Sequence, residues 1–312
     1  MNDNGKDLVI GVDGGGSSTE CWLAELAADA LSEPLGRGIA GPSNVRVVGQ
    51  SAALQNLADA VERAFQSAGA TQQTVRCACL ALAGSDRASD QTVVEQWAQD
   101  FSLAERVAVV HDALPILYAG CPDGQGVALI AGTGSLAFGR NAAGVSYRCG
   151  GWGPLFGDEG SAYAIALAGL RAAARCADGR GPHTQLEEDF LKRLGVEQPS
   201  ELIEAIYRTE MDRPAIANCA ATVFSALSGG DEVAREIIAA AAAELAEMAS
   251  VLVERLGLPT VHLAFGGGLF TAHDQYASAV VQSLDDSIPI ASATTVSDPA
   301  RGAVQIARSF AE

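Results

Sequence analysis

The sequence predicts an α/β protein built from two related domains. Three observations point there. Strand-like and helix-like segments alternate along the first third of the chain. A strand–glycine turn–strand pattern occurs twice. The 312 residues also exceed what one core usually serves. The two copies of the pattern are "LVIGVDGGGSSTECWLAEL" (8–26) and "VALIAGTGSLAFGRN" (127–141). Each leads an apolar run through a Gly/Ser/Thr turn into a second run, which marks an internal repeat.

The elements follow in order. "DLVIGVDGG" and "ECWLAEL" read as two strands close together. Residues 51–70 carry apolar side chains at helical spacing and stop near a glycine. "VRCACLALAG" (75–84) is a buried-strand run, and "DQTVVEQWAQDF" a helix. "RVAVVHD" (106–112) is a strand that runs into a short helix, "ALPILYAG". The repeat at 126–141 gives two more strands. The stretch from about 158 to 256 is helical, with long helices in "GSAYAIALAGLRAAARCADG" and in 231–256. "TVHLAFGGGLF" (260–270) restores a strand, "PIASAT" adds another, and "ARGAVQIARSFA" closes the chain as a helix. The expected domains are 1–120 (smaller) and 121–299 (larger, with a helical insertion). The C-terminal helix, about 300–312, is a candidate to pack back on the first.

A formal charge of −18 argues against nucleic acid and anionic membranes as partners. It leaves ATP open, because a local loop can hold phosphate inside an acidic protein. No run of 18 apolar residues suggests a membrane span, and "MNDNGKDLVIG" lacks a signal-peptide pattern, so a cytoplasmic protein is expected. The seven cysteines include no CxxC pair. Cys77 and Cys79 would share one strand face, which favours buried free thiols over a metal site.

The glycine turns exclude two common phosphate loops. A Walker A loop needs a lysine, and residues 11–24 contain none. A dinucleotide fingerprint opens a helix, whereas here a strand follows and the spacing of Gly11, Gly14, Gly15 and Gly16 does not fit. What remains is a hairpin turn presenting backbone N–H groups at Gly15, Gly16, Ser17 and Ser18, with hydroxyl donors from Ser17, Ser18 and Thr19. Asp13, at the strand end, suits Mg²⁺ held through water. A plain β-hairpin is the competing reading. A second turn, Gly132-Thr133-Gly134-Ser135, and a third cluster, Gly266-Gly267-Gly268, weigh against it.

Three such loops in this order resemble the actin-like ATPase superfamily of sugar kinases, chaperone ATPases and actin. The resemblance implies two ribonuclease H-like domains with ATP in the interdomain cleft. The first two loops would grip the phosphates, and the third would lie against the adenosine. Asp112 ends a strand just before a short helix, where the helix N-terminus keeps a carboxylate ionised. Residue type alone allows an N-cap aspartate. In kinases of this superfamily, an aspartate placed here accepts the proton of the attacking hydroxyl.

The stretch "CGGWGPLFGDEGSAYAIALAGL" (149–170) resembles the eukaryotic-type N-acetylglucosamine kinases, grouped with the BadF/BadG/BcrA/BcrD ATPases. The resemblance spans nearly the whole chain, since Asp13, Asn44, Asp112, Gly132–Ser135 and Gly266–Gly268 fall in the expected order. It implies that Asp158 hydrogen-bonds sugar hydroxyls, that Asn44 contacts the sugar, and that Gly151 and Trp152 shape its wall. Trp152 as a core aromatic, and Asp158-Glu159 as first-turn helix acids, are the plainer alternatives. Where the animal enzyme has an aromatic residue soon after the asparagine, this chain has Val45 and Arg46, and "LAGSDR" (82–87) also differs. Both departures leave the 2-substituent open.

The expected protein is therefore an ATP- and Mg²⁺-dependent amino-sugar kinase acting on the 6-hydroxyl of N-acetylglucosamine, with glucosamine or another amino sugar as the alternative. A homodimer is the expected assembly. Two other readings compete. An ATPase activator of a radical dehydratase would need cysteines such as Cys121 and Cys149 at a shared iron–sulfur cluster. A ROK-type regulator would need a zinc motif and a helix-turn-helix ahead of the first strand, and the sequence shows neither.

Overall fold

A computed structural model describes residues 7–29, 32–84 and 88–311. The opening residues 1–6 and the tip of the "LAGSDR" loop, 85–87, lie outside the described residues. In chain order the elements are β1 (Leu8–Gly14), β2 (Thr19–Glu25), β3 (Gly36–Ala40), α1 (Val45–Val48), α2 (Gln50–Ser67), β4 (Val75–Leu82), α3 (Ala88–Asp100), β5 (Ala104–Val110), α4 (Ala113–Gly120), β6 (Gly126–Ala131), β7 (Ser135–Arg140) and β8 (Ser146–Gly150). A helical series follows: α5 (Ala162–Ala177), α6 (Leu186–Leu194), α7 (Leu202–Tyr207), α8 (Arg213–Ala217), α9 (Ala220–Ser228) and α10 (Glu232–Leu256). The chain closes with β9 (Val261–Gly266), α11 (Gly268–Ala272), α12 (Asp274–Ser283), β10 (Ile290–Thr295) and α13 (Pro299–Ser309). It forms two units, residues 1–125 with 298–312, and residues 126–297. No helix among the described residues is long and apolar enough to cross a membrane.

In the first unit the strand order is β3-β2-β1-β4-β5. β1 pairs antiparallel with β2 and parallel with β4, and β5 continues the sheet in parallel. Both faces are covered, so β1 and β4 are nearly unbroken apolar runs. Side chains alternate between the faces. Leu8, Ile10 and Val12 join Leu57, Val61 and Phe65 of α2 on one side. Val9, Trp22, Cys77 and Cys79 meet Ala300, Ala303, Val304 and Ala307 of α13 on the other. None of the seven cysteines is in a disulfide. Burial pushes the Cys79 thiol up to about 12, which keeps it protonated and inert.

The sequence does not announce β3, whose residues are GRGIA. A Cβ on Gly38 would start 1.9 Å from the Ala60 carbonyl oxygen, and one on Gly36 2.1 Å from that of Ala64. α2 thus lies directly on positions that must stay bare, and bare positions erase the apolar alternation of a strand.

The second unit repeats the topology as β10-β9-β6-β7-β8. β6 pairs antiparallel with β7 and parallel with β9. Val127, Leu129, Leu263 and Phe265 from its sheet pack with Ile165 and Ala166 of α5 and with Ala242, Leu245 and Ala249 of α10. α10 starts where the Asp231 carboxylate accepts the Ala234 N–H at 2.8 Å, and it stops at Gly257, φ 62°.

In the first unit, a Cβ on Gly302 of α13 would start 1.8 Å from the Pro115 carbonyl oxygen of α4. Gly302→Ala should therefore destabilise the protein by about 1–3 kcal/mol, as overpacking does. The gain of about 1 kcal/mol in helix propensity works the other way. Urea unfolding checks it. A variant as stable as the parent would show that α4 and α13 separate freely.

Candidate active site

In the first unit the candidate residues collect at the C-terminal ends of the parallel strands, where open α/β sheets bind ligands. Asp13, Ala81 and Val110 stand in one row of β1, β4 and β5. Asp112, two residues further on, occupies the N-cap position of α4, yet its side chain makes no capping hydrogen bond. The plain capping alternative thus fails to use its carboxylate. Burial, the Asp112 charge and the Glu20 charge together push Asp13 up to about 7. Glu20 itself accepts the Trp22 indole N–H at 2.7 Å.

The turn after Asp13 is closed by Gly15 N–H donating to the Ser18 carbonyl at 2.9 Å. Gly16, Ser17 and Ser18 are exposed. The Gly15 carbonyl accepts the N–H groups of both Ser43 and Asn44 at 3.2 Å, which ties Asn44 to the turn. Asn44 caps α1, its Oδ1 accepting Arg46 N–H at 3.0 Å, so its amide nitrogen is the end left for a ligand. Arg46 pairs with Asp90 at 2.9 Å.

In the second unit the turn between β6 and β7 is tied to the segment before α5. Gly132 N–H donates to the Gly134 carbonyl, and Ala162 N–H to the Gly132 carbonyl, both at 2.9 Å. Ser135 points inward. Its N–H donates to Asp158 Oδ1 at 3.4 Å, and its hydroxyl to the Glu159 carbonyl at 2.5 Å. At the tip of this turn Thr133 is exposed and Gly134 half-buried. Gly267 (φ 96°) lies against the end of β6, where a Cβ would start 2.5 Å from the Ala131 carbonyl oxygen. The glycines at 132–134 and 266–268 therefore adjoin.

Asp158 is 4% exposed and sits at φ 59°, a left-handed conformation that aspartate tolerates better than most residues. Its Oδ2 accepts Arg213 Nη2. Arg213 escaped sequence reasoning, since "DRP" signals only a helix start. Gly151 has φ 71°. Trp152 is 68% exposed, which overturns its reading as a core aromatic, and its ring lies 6.4 Å from that of Phe156, itself exposed.

Residues 10–307 match the sequence profile of the BadF/BadG/BcrA/BcrD ATPase family. The chain belongs to that family. It is 33% identical over 304 residues to an N-acetylmuramic acid/N-acetylglucosamine kinase of Clostridium acetobutylicum, covering 96% of this chain and 98% of that one. It is 29% identical over 317 residues to an N-acetyl-D-glucosamine kinase of Dictyostelium discoideum, covering 97% and 98%. A solved structure from Chromobacterium violaceum, provisionally assigned as an N-acetylglucosamine kinase, aligns with a TM-score of 0.71 at 25% identity, covering 97% of this chain and 99% of that one.

As a member of an ATPase family the chain uses ATP. The carboxylates fit Mg²⁺ in one respect: Asp13 and Asp112 are hard oxygen donors whose mutual repulsion a cation relieves. Among the described residues no group of three or more acids, histidines or cysteines forms a cage. That matches the habit of Mg²⁺ to take one or two carboxylates plus water and substrate phosphates.

The raised Asp13 fixes a sign. Between about pH 4 and 7 the unfolded chain ionises Asp13 while the folded protein keeps it protonated, so this contribution to stability is lost as pH rises through that window. In metal-free protein, Asp13→Asn should raise the melting temperature at pH 8 by about 2–4 °C. The gain should shrink toward pH 4. Equal gains at both pH values would show that Asp13 carries no strained charge.

Proposed function

We propose that the protein is an ATP-dependent amino-sugar kinase that phosphorylates N-acetylglucosamine on its 6-hydroxyl. The observation that carries the reading is Asp112, a carboxylate at a strand end beside Asp13 that is not used to cap its helix. The activities of the Clostridium and Dictyostelium relatives support it. Asp112 takes the proton of the attacking hydroxyl. Asn44, Gly151, Trp152 and Asp158 bind the sugar. Gly15, Gly16, Ser17, Ser18 and Gly132–Ser135 serve the phosphates, and Gly266–Gly268 the adenosine. Asp13 holds Mg²⁺ through water, and the ion supplies charge neutralisation at the phosphates. ATP as donor suits a cytoplasmic enzyme. Positioning and charge do most of the work in phosphoryl transfer, with the base adding about 10²–10⁴-fold.

Arg46 favours a second, wider reading. It lies two residues after Asn44, and its side chain is held by an exposed pair with Asp90; such pairs contribute about 0–1 kcal/mol. A carboxylated amino sugar such as N-acetylmuramic acid can recruit it. The dehydratase-activator reading is disfavoured, because Cys121 is 4% exposed and a cluster bridging two subunits needs thiolates at the surface.

An ADP-release screen over N-acetylglucosamine, N-acetylmuramate, glucosamine, N-acetylmannosamine and glucose tests the proposal. N-acetylglucosamine should give the strongest stimulation, and no stimulation by any sugar defeats it. Asp112→Asn should keep sugar binding and lose turnover by at least about 100-fold. Near-parental turnover would remove Asp112 from the chemistry.

A further inference from the structure

Neither glycine turn carries a cation of its own: residues 13–19 are DGGGSST and 131–136 are AGTGSL. Phosphate oxygens in a water-poor site need positive charge as well as amides. The second turn has one alongside it. Arg213 Nη2 lies 2.8 Å from where a Cβ on Gly134 would begin, and Asp158 Oδ2 lies 3.0 Å from the same point. Any side chain at 134 would therefore strike this pair, and the bare turn lets the guanidinium sit directly against it.

Arg213 is also underused. Of its five N–H donors, Nη2 goes to Asp158, while Nε is buried without any acceptor. A buried orphan donor is costly and calls for explanation. The Arg213 side chain is 39% exposed, against 6% for Asp158, so the guanidinium is the reachable member of the pair. Its Cζ lies 5.9 Å from the Tyr163 ring centroid. The accessible turn tip at Thr133 and Gly134, with a planar cation beside it, makes an anion cradle of the kind that arginine serves by forked contacts.

We propose that Arg213 binds a phosphate oxygen of the nucleotide at the 132–135 turn, and that Asp158 holds Arg213 in place until the nucleotide arrives. Phosphate and Asp158 compete for the same guanidinium. When Arg213 turns to phosphate, Asp158 keeps the Ser135 amide and has Oδ2 to offer. On the kinase reading given above, Oδ2 is then available to a sugar hydroxyl, which reconciles the burial of Asp158 with its proposed contact.

Competition makes the two partners respond with opposite signs, and nucleotide binding alone can read them. Isothermal calorimetry with Mg-ATP and with adenosine serves as the probe. Arg213→Gln should weaken ATP about 10-fold or more, the loss of one charge-assisted hydrogen bond, and leave adenosine unchanged. Arg213→Lys should recover part of that loss. Asp158→Asn should bind ATP at least as tightly as the parent, because the rival carboxylate is gone. If Arg213→Gln fails to fold by circular dichroism, the Lys and Asn variants decide the matter. Unchanged ATP affinity in a folded Arg213 variant, an equal loss for adenosine, or weaker ATP binding in Asp158→Asn overturns the proposal. Kinase activity in the parent beside any of those results sinks Arg213 alone. ATP binding that depends on Arg213 without turnover of any sugar sinks the kinase reading alone.

Discussion

Like charges crowded at the ends of buried strands set the terms for this protein. Asp13 ends a strand covered on both faces, and Asp112 lies near enough to raise its proton affinity. No packing adjustment removes that cost, since the sheet register fixes where β1 and β5 end. Only a proton or a cation does. The second unit has the same strand order with the opposite demand: beside the turn between β6 and β7 stands Arg213, with an unmet donor. One unit calls for a cation and the other for an anion.

The same reasoning explains why neither turn contains lysine. A lysine in residues 13–19 would offset the charge repulsion that Asp112 and Glu20 exert on Asp13. In the second unit the positive charge stands outside the turn, on Arg213, and is held by Asp158. Asp158 pays for this with a left-handed backbone conformation at φ 59°, and sparsely populated conformations of that kind gather at functional sites.

Most of the strands were legible because buried strands and their turns carry strong local signals. α4 is bounded as its sequence suggests, from Ala113 to Gly120. β3 and β8 were not legible. β3 is stripped of side chains where α2 approaches it, and β8 (SYRCG) is an edge strand with an exposed first half, so neither shows an apolar pattern. The short helices α6 to α9 blur into one helical stretch for the same reason that they fold: their apolar positions answer to tertiary neighbours. At the site, the glycines and Asp112 were visible because their spacing is local. Arg213 was invisible because its meaning comes from Asp158, 55 positions away in the chain. The inward turn of Ser135 was hidden likewise, since the carbonyl that it meets belongs to Glu159.

The last helix ties the C-terminus to the proposed base. α13 fills the face of the first sheet left open by α2, lying on Val9, Trp22, Cys77 and Cys79. It also crosses α4 at Gly302, against the Pro115 carbonyl. Asp112 begins α4, so its position depends on a helix made 187 residues later, after the whole second unit has been synthesised. The second unit is continuous in sequence and can complete its core without waiting. The first cannot, because contacts of such sequence separation form only after a large loop is closed. The N-cap position of Asp112 is therefore fixed only once α13 has packed against α4.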